Sequence, residues 1–340
     1  MALERCTLFT ELLLNELTIS DTFSLSDYRN NMYNSSSKDI IYDFYESFAS
    51  RESLIKWMKE RPRGKTTVYE CPGNKEIVVI IPTSNFNGEH AKTCRETIFK
   101  GLQLIFVESG FPHDNYFNYA HSCNIGVSRA LRFNPKWIVI SNDDMKKVDD
   151  VAKLIYELKN SNKDAQVIWT KENDLFHHDF KILRATALLR ILMRSSKIFR
   201  KFSTSLKVKN LYLFAKFNIY CKPRYANADS DRHLGILYKV IGKYKVAGHF
   251  AIYNTEFVKS RGENLFDEAF INGFEDTWLG INLGIKKTKF GLIDYKISPI
   301  GGASLGKGYI RYLRDFANLT LYNYYVKNKL PGTSEININN

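Results

Sequence analysis

The sequence predicts an α/β protein in which a mostly parallel sheet is flanked by helices. Three features predict this class: short runs of β-branched residues, helical segments between them, and polar side chains directly after the runs. Alternation at this spacing favours parallel strands joined by right-handed crossovers. Ligands of such sheets bind outside the carboxyl ends of the strands, so polar residues at those ends are the candidates for a functional site.

Strands and helices alternate over most of the chain after residue 76. Strands are predicted where apolar residues run together, at residues 77–81, 102–107, 137–140 and 166–169. Helices are predicted after the first three strands, at residues 89–100, 118–131 and 148–158. The pattern resumes towards the C-terminus with a strand, a helix, a strand and a helix, at residues 246–253, 268–284, 290–294 and 309–329.

The chain is expected to have three parts. Residues 1–75 are predicted to be an N-terminal helical extension and linker, because apolar residues recur at helical spacing before residue 50 and residues 61–74 are rich in proline, glycine and charge. Residues 76–330 are predicted to form one large α/β domain, with a basic helical insertion at 171–245. Residues 331–340 are polar and predicted to be a flexible tail.

The formal net charge of +13 is concentrated in one segment of this insertion. Residues 181–224 contain twelve Lys and Arg and no Asp or Glu. This segment predicts an acidic partner: an anionic membrane surface, a phosphorylated acceptor or nucleic acid. It is equally well explained as a helical insertion whose charges face water, and no motif typical of nucleic-acid binding accompanies it.

Cysteine usage and the first residues indicate the compartment. The five cysteines are odd in number and contain no CxxC pair, which argues against a disulfide framework and a zinc ribbon. The N-terminus lacks the basic start and apolar run of a signal peptide. We therefore expect a cytoplasmic protein that can be peripheral at the cytoplasmic face of a membrane.

Two acidic sequences stand where chemistry is expected. Asn142-Asp143-Asp144 follows a predicted strand directly, and its oxygen ligands suit a hard divalent cation that also binds substrate phosphate. Glu275-Asp276 offers a carboxylate that can act as general base towards a hydroxyl. Each sequence has a simpler explanation, since acidic residues and Asn are favoured at helix starts.

The glycine-rich segment 301–308 forms a third candidate. Gly301, Gly306 and Lys307 match part of the phosphate-binding pattern G-x4-G-K, but Gly308 stands where that pattern requires Ser or Thr. The segment also lies near the C-terminus rather than after a first strand. A glycine-rich basic loop that closes over a diphosphate is the interpretation we prefer.

Segments carrying these residues resemble, in order, segments of the family 2 glycosyltransferases, which are inverting enzymes of the GT-A fold, and particularly of the rhamnosyltransferase-like branch. The resemblance covers about 250 residues and rests on IVVIIPTSN, FVESG, NYAHSCNIGVSRAL, WIVISNDDM, NLFDEAFINGFEDTWLGINL and ISPIGGASLGKG. It implies transfer of a hexosyl or deoxyhexosyl group from a nucleoside-diphosphate sugar to a hydroxyl of a glycan, a lipid-linked molecule or a protein.

The resemblance also implies roles for individual residues. The catalytic base would be Asp276, with Glu275 as the second candidate. Mn²⁺ or Mg²⁺ would be held by Asp144 and Asn142. The donor would be bound by residues at the strand ends, in one helix and in the glycine-rich loop: Pro82, Thr83, Asn85, Glu108, Asn124, Gly126, Asn142, Asp143, Ser304 and Lys307.

The sequence departs from the family pattern at three positions. Asn142 occupies the first acidic position of the metal turn, Pro299 and Ile300 stand where a histidine often precedes the glycine-rich loop, and Trp278 replaces a further Asp. Two other functions therefore stay open. One is a catalytically idle relative that binds membranes or nucleic acid, and the other is an NTPase that uses residues 301–307.

Overall fold

The computed structural model describes residues 37–110, 116–162, 164–170, 249–262, 264–285, 288–300 and 308–329. Most of the predicted N-terminal extension, the basic insertion at 171–245, residues 301–307 of the glycine-rich loop and the tail at 331–340 lie outside these ranges. The predictions made for those segments stay predictions.

Seven strands form one sheet in the order β1-β3-β2-β4-β7-β6-β8. The strands are β1 Thr66–Cys71, β2 Asn74–Thr83, β3 Leu102–Ser109, β4 Trp137–Ser141, β6 Val167–Thr170, β7 Phe250–Asn254 and β8 Phe290–Ile293. Neighbouring pairs show that β2, β3, β4, β6 and β8 run in one direction, whereas β1 and β7 run in the other. The predicted mostly parallel sheet is confirmed.

A small second sheet lies beside the first. It consists of β5 Met145–Lys147 and β9 Ile297–Pro299, which pair antiparallel. The helices are α1 Lys38–Glu46, α2 Arg51–Glu60, α3 Glu89–Thr93 with a following π-helical turn Cys94–Ile98, α4 Tyr119–Leu131, α5 Val151–Asn160, α6 Thr255–Ser260, α7 Glu275–Ile285 and α8 Gly308–Lys329. Within these ranges, no helix combines the length and the apolar character that crossing a membrane requires.

Two predictions of secondary structure are wrong. Residues 61–74 do not form only a linker, because β1 pairs antiparallel with β3 from Thr66 opposite Ser109 to Cys71 opposite Leu104. The helix predicted from residue 268 begins at Glu275, since Asn272 and Phe274 adopt positive φ values of 54° and 70°, outside the helical region. These local conformations depend on tertiary contacts that the pattern of residues does not reveal.

The helices before the sheet share a core with the helices after it. Tyr45 of α1 is fully buried, and its hydroxyl accepts a hydrogen bond from the backbone N–H of Ala317 in α8 at 3.0 Å. The cluster that joins them is aromatic and aliphatic: Ile41, Phe44, Tyr45, Leu54, Met58, Phe270, Trp278, Phe316, Leu321, Tyr322 and Tyr325. Residues 38–60 are therefore packed onto the segment that contains Glu275, rather than tethered beside it.

The sheet is covered on both faces by apolar side chains. In β2, Val79 belongs to one buried cluster, and Val78 and Ile80 belong to the other. On the second face α4 approaches the sheet closely at Gly126, where a Cβ atom would lie 2.2 Å from Ile80 Cγ2. This close packing fixes the start of α4 relative to the carboxyl ends of β2 and β4.

Candidate active site

The acidic turn lies at the carboxyl end of β4, as predicted. Its backbone is held on both sides: the N–H of Asn142 donates to the carbonyl of His249 at 2.9 Å, and the N–H of Ile300 donates to the carbonyl of Asp144 at 2.8 Å. The turn thus connects the main sheet to the β5–β9 sheet. Because both flanking strands are paired, the three side chains project from a rigid backbone.

Asp143 joins this turn to the end of β2. The hydroxyl of Thr83 donates to Asp143 Oδ2 at 2.7 Å, and the thiol of Cys94 donates to the backbone carbonyl of Asp143 at 3.4 Å. Burial raises the pKa of the Asp143 carboxyl, and the bond from Thr83 opposes that rise. Thr83 and Asp143, both predicted to bind the donor, are therefore direct neighbours although 60 residues separate them.

The loop after β2 lies between the ends of β2 and β3. Glu108 Oε2 accepts a hydrogen bond from the backbone N–H of Phe86 at 2.6 Å, and the N–H of Asn85 donates to Thr83 Oγ1 at 3.2 Å. Pro82 is buried within β2, opposite Val107 of β3. Of the predicted donor ligands, Thr83, Asn85 and Glu108 thus lie together at one edge of the sheet.

An aromatic residue that the sequence did not single out completes this loop. The ring of Phe86 stacks on Tyr69 of β1, with centroids 4.1 Å apart and planes at 5°. The guanidinium of Arg95 lies 4.8 Å from the centroid of the Phe86 ring and donates to the Phe86 carbonyl at 2.7 Å. Tyr69 and Arg95 therefore lie against the Phe86 ring and hold this loop beside Glu108.

Tyr119 connects the acidic turn to the segment before Glu275. Its hydroxyl donates to Asn142 Oδ1 at 2.8 Å, and its backbone N–H donates to Asn272 Oδ1 at 2.8 Å. Burial raises the pKa of the Tyr119 phenol well above its ordinary value, and the negative charge of Glu275 adds to this rise. The two acidic sequences, about 130 residues apart in the chain, therefore lie on opposite sides of one tyrosine.

Glu275 is a buried carboxyl at the start of α7. It is 6% exposed, and its Oε2 atom has no hydrogen-bond partner in the described part of the chain. Burial raises its pKa to about 8, and the adjacent Asp276 carboxylate contributes to the rise. At neutral pH Glu275 is therefore mostly protonated, because ionisation would place an unpaired charge in the core.

Asp276 differs from its neighbour in exposure and in partners. It is half-buried, and its Oδ1 atom accepts hydrogen bonds from the backbone N–H and the hydroxyl of Thr277 at 2.6 and 3.2 Å. These donors fix the orientation of the carboxylate. Asp276 is thus the more exposed carboxyl of the pair.

The segment before α7 is held by α8. Asn318 is fully buried and bonds both backbone groups of Ile271, accepting from the N–H and donating to the carbonyl, each at 2.8 Å. At Gly273 a Cβ atom would lie 2.9 Å from Asp315 Oδ1. This packing supports the positive φ angles at Asn272 and Phe274, which in turn set where Glu275 and Asp276 point.

Two predicted donor ligands have other roles in the structure. The amide of Asn124 donates to the carbonyl of Phe266 and to Glu268 Oε1, both at 2.9 Å, and its oxygen accepts from the N–H of Phe266 at 3.0 Å. Gly126 gives the close approach of α4 to β2 described above. Both residues therefore have structural roles, and their assignment to the donor stays a prediction. Ser304 and Lys307 lie outside the described residues.

The acidic turn offers one carboxylate with no protein partner in the described ranges, that of Asp144. The Asp144 carboxylate makes no hydrogen bond or ion pair within the described ranges and is half-exposed, whereas Asn142 Oδ1 already accepts from Tyr119. No group of three or more His, Cys, Asp or Glu side chains that could hold a metal occurs among the described residues. Mg²⁺ commonly binds through one or two carboxylates, and substrate phosphates and water complete its coordination. Asp144 can supply the carboxylate.

Comparison of the chain with protein-family models, with curated proteins and with solved structures finds no match. The candidate site is therefore interpreted from its own geometry and from the resemblance of its motifs.

Proposed function

We propose that the protein is an inverting, metal-dependent glycosyltransferase that moves a sugar from a nucleoside-diphosphate donor to an acceptor hydroxyl. The observation that carries this proposal is the bridge through Tyr119, which contacts Asn142 of the acidic turn and Asn272 just before Glu275. A donor diphosphate at the turn and an acceptor at Asp276 would then meet in one site at the carboxyl edge of the sheet.

The donor half of the proposal rests on the residues at the ends of β2 and β3. Glu108, at the end of β3, is the candidate for binding the nucleoside. Asp143, which accepts a hydrogen bond from Thr83, is the candidate for contact with the diphosphate. Asp144, with Asn142 as the second candidate, would hold Mn²⁺ or Mg²⁺ there. When bound, the cation neutralises the charge that develops on the departing diphosphate.

The acceptor half assigns proton transfer to Asp276. Its carboxylate takes the proton of the acceptor hydroxyl while that oxygen forms a bond to the anomeric carbon. The bond between the anomeric carbon and the diphosphate oxygen breaks, and its electron pair leaves with the diphosphate. Attack from the face opposite the leaving group inverts the configuration.

Glu275 assists by remaining neutral. Two adjacent carboxylates in a partly buried site cannot both ionise without strong repulsion, and burial places the proton on Glu275. Asp276, the more exposed carboxyl of the pair, is then the one assigned as the base. Two neighbouring carboxyls in different environments thus take different roles, Glu275 as the protonated group and Asp276 as the base. Such pairs are common in acid–base sites.

The proposal is tested by donor consumption. We expect the purified protein with Mn²⁺ to release nucleoside diphosphate slowly from one member of a panel of UDP-, GDP- and dTDP-sugars, with water as the acceptor. Chelation should stop the release, because the proposed cation neutralises the charge of the departing diphosphate. Release of phosphate from ATP instead would favour the NTPase alternative, and no release from any donor would favour the idle relative.

A further inference from the structure

A cavity lies away from the acidic turn. It encloses about 480 Å³ between α2, the segment before α7, α7 itself and α8. Its lining includes three cations, two carboxylates and an aromatic wall: Lys59, Arg63, Arg261, Asp267, Glu268 and Trp278. We refer to it as the α2–α7 cavity. Its volume lies in the range of sites that bind small organic molecules.

Both carboxylates of the α2–α7 cavity are occupied by protein groups. Glu268 Oε2 contacts Arg63 Nε at 3.4 Å and His121 Nδ1 at 3.0 Å, and Glu268 Oε1 accepts from the Asn124 amide at 2.9 Å. Asp267 Oδ1 accepts from the backbone N–H of Ala269 at 3.0 Å. Arg63 therefore has an acidic partner. Glu268 contacts Arg63, His121 and Asn124, and Asp267 accepts from the loop backbone.

Two cations of the cavity have no such partner. Neither Arg261 nor Lys59 makes an ion pair with any residue in the described ranges, and Arg261 Nη1 is buried there without a hydrogen-bond acceptor. The ammonium of Lys59 lies over the rings of Tyr324 and Tyr325, 4.9 and 5.5 Å from their centroids. A buried guanidinium N–H without an acceptor is costly, and an anion that accepts from the guanidinium would reduce that cost.

We propose that the α2–α7 cavity binds the phosphate group of a small organic molecule. A phosphate can accept from the guanidinium of Arg261 and also pair with the exposed ammonium of Lys59, so a dianionic group matches these two cations better than a carboxylate does. Trp278 and Leu265 provide apolar wall for the rest of the ligand. This binding does not depend on the function proposed above, since none of the residues assigned to the donor lines the cavity.

The test is isothermal titration calorimetry of the full-length protein with inorganic phosphate and with glycerol 3-phosphate. Acetate serves as the monoanionic comparison, and chelator is present in every titration. We expect both phosphates to bind and glycerol 3-phosphate to bind more tightly than inorganic phosphate. Arg261→Gln should raise both dissociation constants by about tenfold or more, the effect of losing one charged hydrogen bond. Chelator separates this site from the metal-dependent donor site.

Matched variants keep the result interpretable. Arg129→Gln also removes one arginine, at an exposed pair with Glu70 on the edge of the sheet, and should leave phosphate binding unchanged. Lys59→Gln should weaken binding independently, and it carries the test if Arg261→Gln fails to fold. The proposal is overturned if the unaltered protein binds no phosphate, or if Arg261→Gln and Lys59→Gln bind it as tightly as Arg129→Gln does.

Discussion

Replacing Asp276 with Asn is expected to lower the rate of sugar transfer by about two to four orders of magnitude, the usual contribution of a general base. The change is isosteric, and the amide oxygen can still accept from Thr277, so the start of α7 should keep its conformation. What is lost is the group that accepts the proton of the attacking hydroxyl. Turnover of the donor and acceptor pair under saturating conditions measures this effect.

Donor binding separates catalysis from folding in this experiment. Asp276→Asn should bind the nucleoside diphosphate as tightly as the unaltered protein, because the donor contacts are assigned to residues at the ends of β2, β3 and β4 and not to α7. Asp164→Asn, at an exposed residue paired with Lys289 outside the site, provides a matched control with unchanged turnover. Full activity in Asp276→Asn would show that Asp276 is not the base and would favour Glu275, the second candidate.

Replacing Glu275 with Gln is expected to raise the free energy of unfolding at about pH 8. It should also remove most of the fall in that free energy between about pH 5 and about pH 8. The pKa of Glu275 rises on folding from 4.5 to about 8, so between these values the folded state keeps a proton that the unfolded state has lost. Stability due to this group is therefore fully present below pH 4.5 and is lost as pH rises towards 8. Each pH unit in that window costs about 1.4 kcal/mol at most.

Urea unfolding at about pH 5 and about pH 8 checks this prediction. The unaltered protein should lose a few kcal/mol between the two conditions, at about 1.4 kcal/mol per unit, whereas Glu275→Gln should lose much less. Gln is neutral at both values, so the burial that raises the pKa no longer penalises the folded state. Parallel losses in both proteins would show that Glu275 does not carry the buried proton.

The parallel part of the sheet follows from the sequence because each strand has a strong local signal. The runs that form β2, β3 and β4 are apolar on both faces, and the polar residues that follow them lie at one edge, as parallel strands require. This is why Thr83, Glu108 and Asp143 could be identified before their contacts were known. Strand direction after residue 245 has no such local signal, so the reversed β7 was not predicted.

The connections between distant residues could not be predicted. Tyr119 bonds to Asn142 and Asn272, 23 and 153 residues away, and nothing in its surrounding sequence marks it as the bridge between the acidic pairs. Burial of Glu275 depends likewise on packing of α1 and α8 around α7. The bonds from Asn124 in α4 to Phe266 and Glu268 likewise join residues more than 140 positions apart, and no local pattern predicts them.

The central claim, that the acidic turn binds a metal and a nucleoside diphosphate, is tested most directly by thermal unfolding with UDP, GDP and dTDP in Mn²⁺, Mg²⁺ or chelator. A ligand at a hundredfold excess over its dissociation constant stabilises a protein by about 2.7 kcal/mol. We predict such a shift with one nucleotide and metal, its loss with chelator and in Asp144→Ala, and its retention in Asp164→Ala. Equal shifts in the two variants, or no shift with any nucleoside diphosphate, would contradict the account.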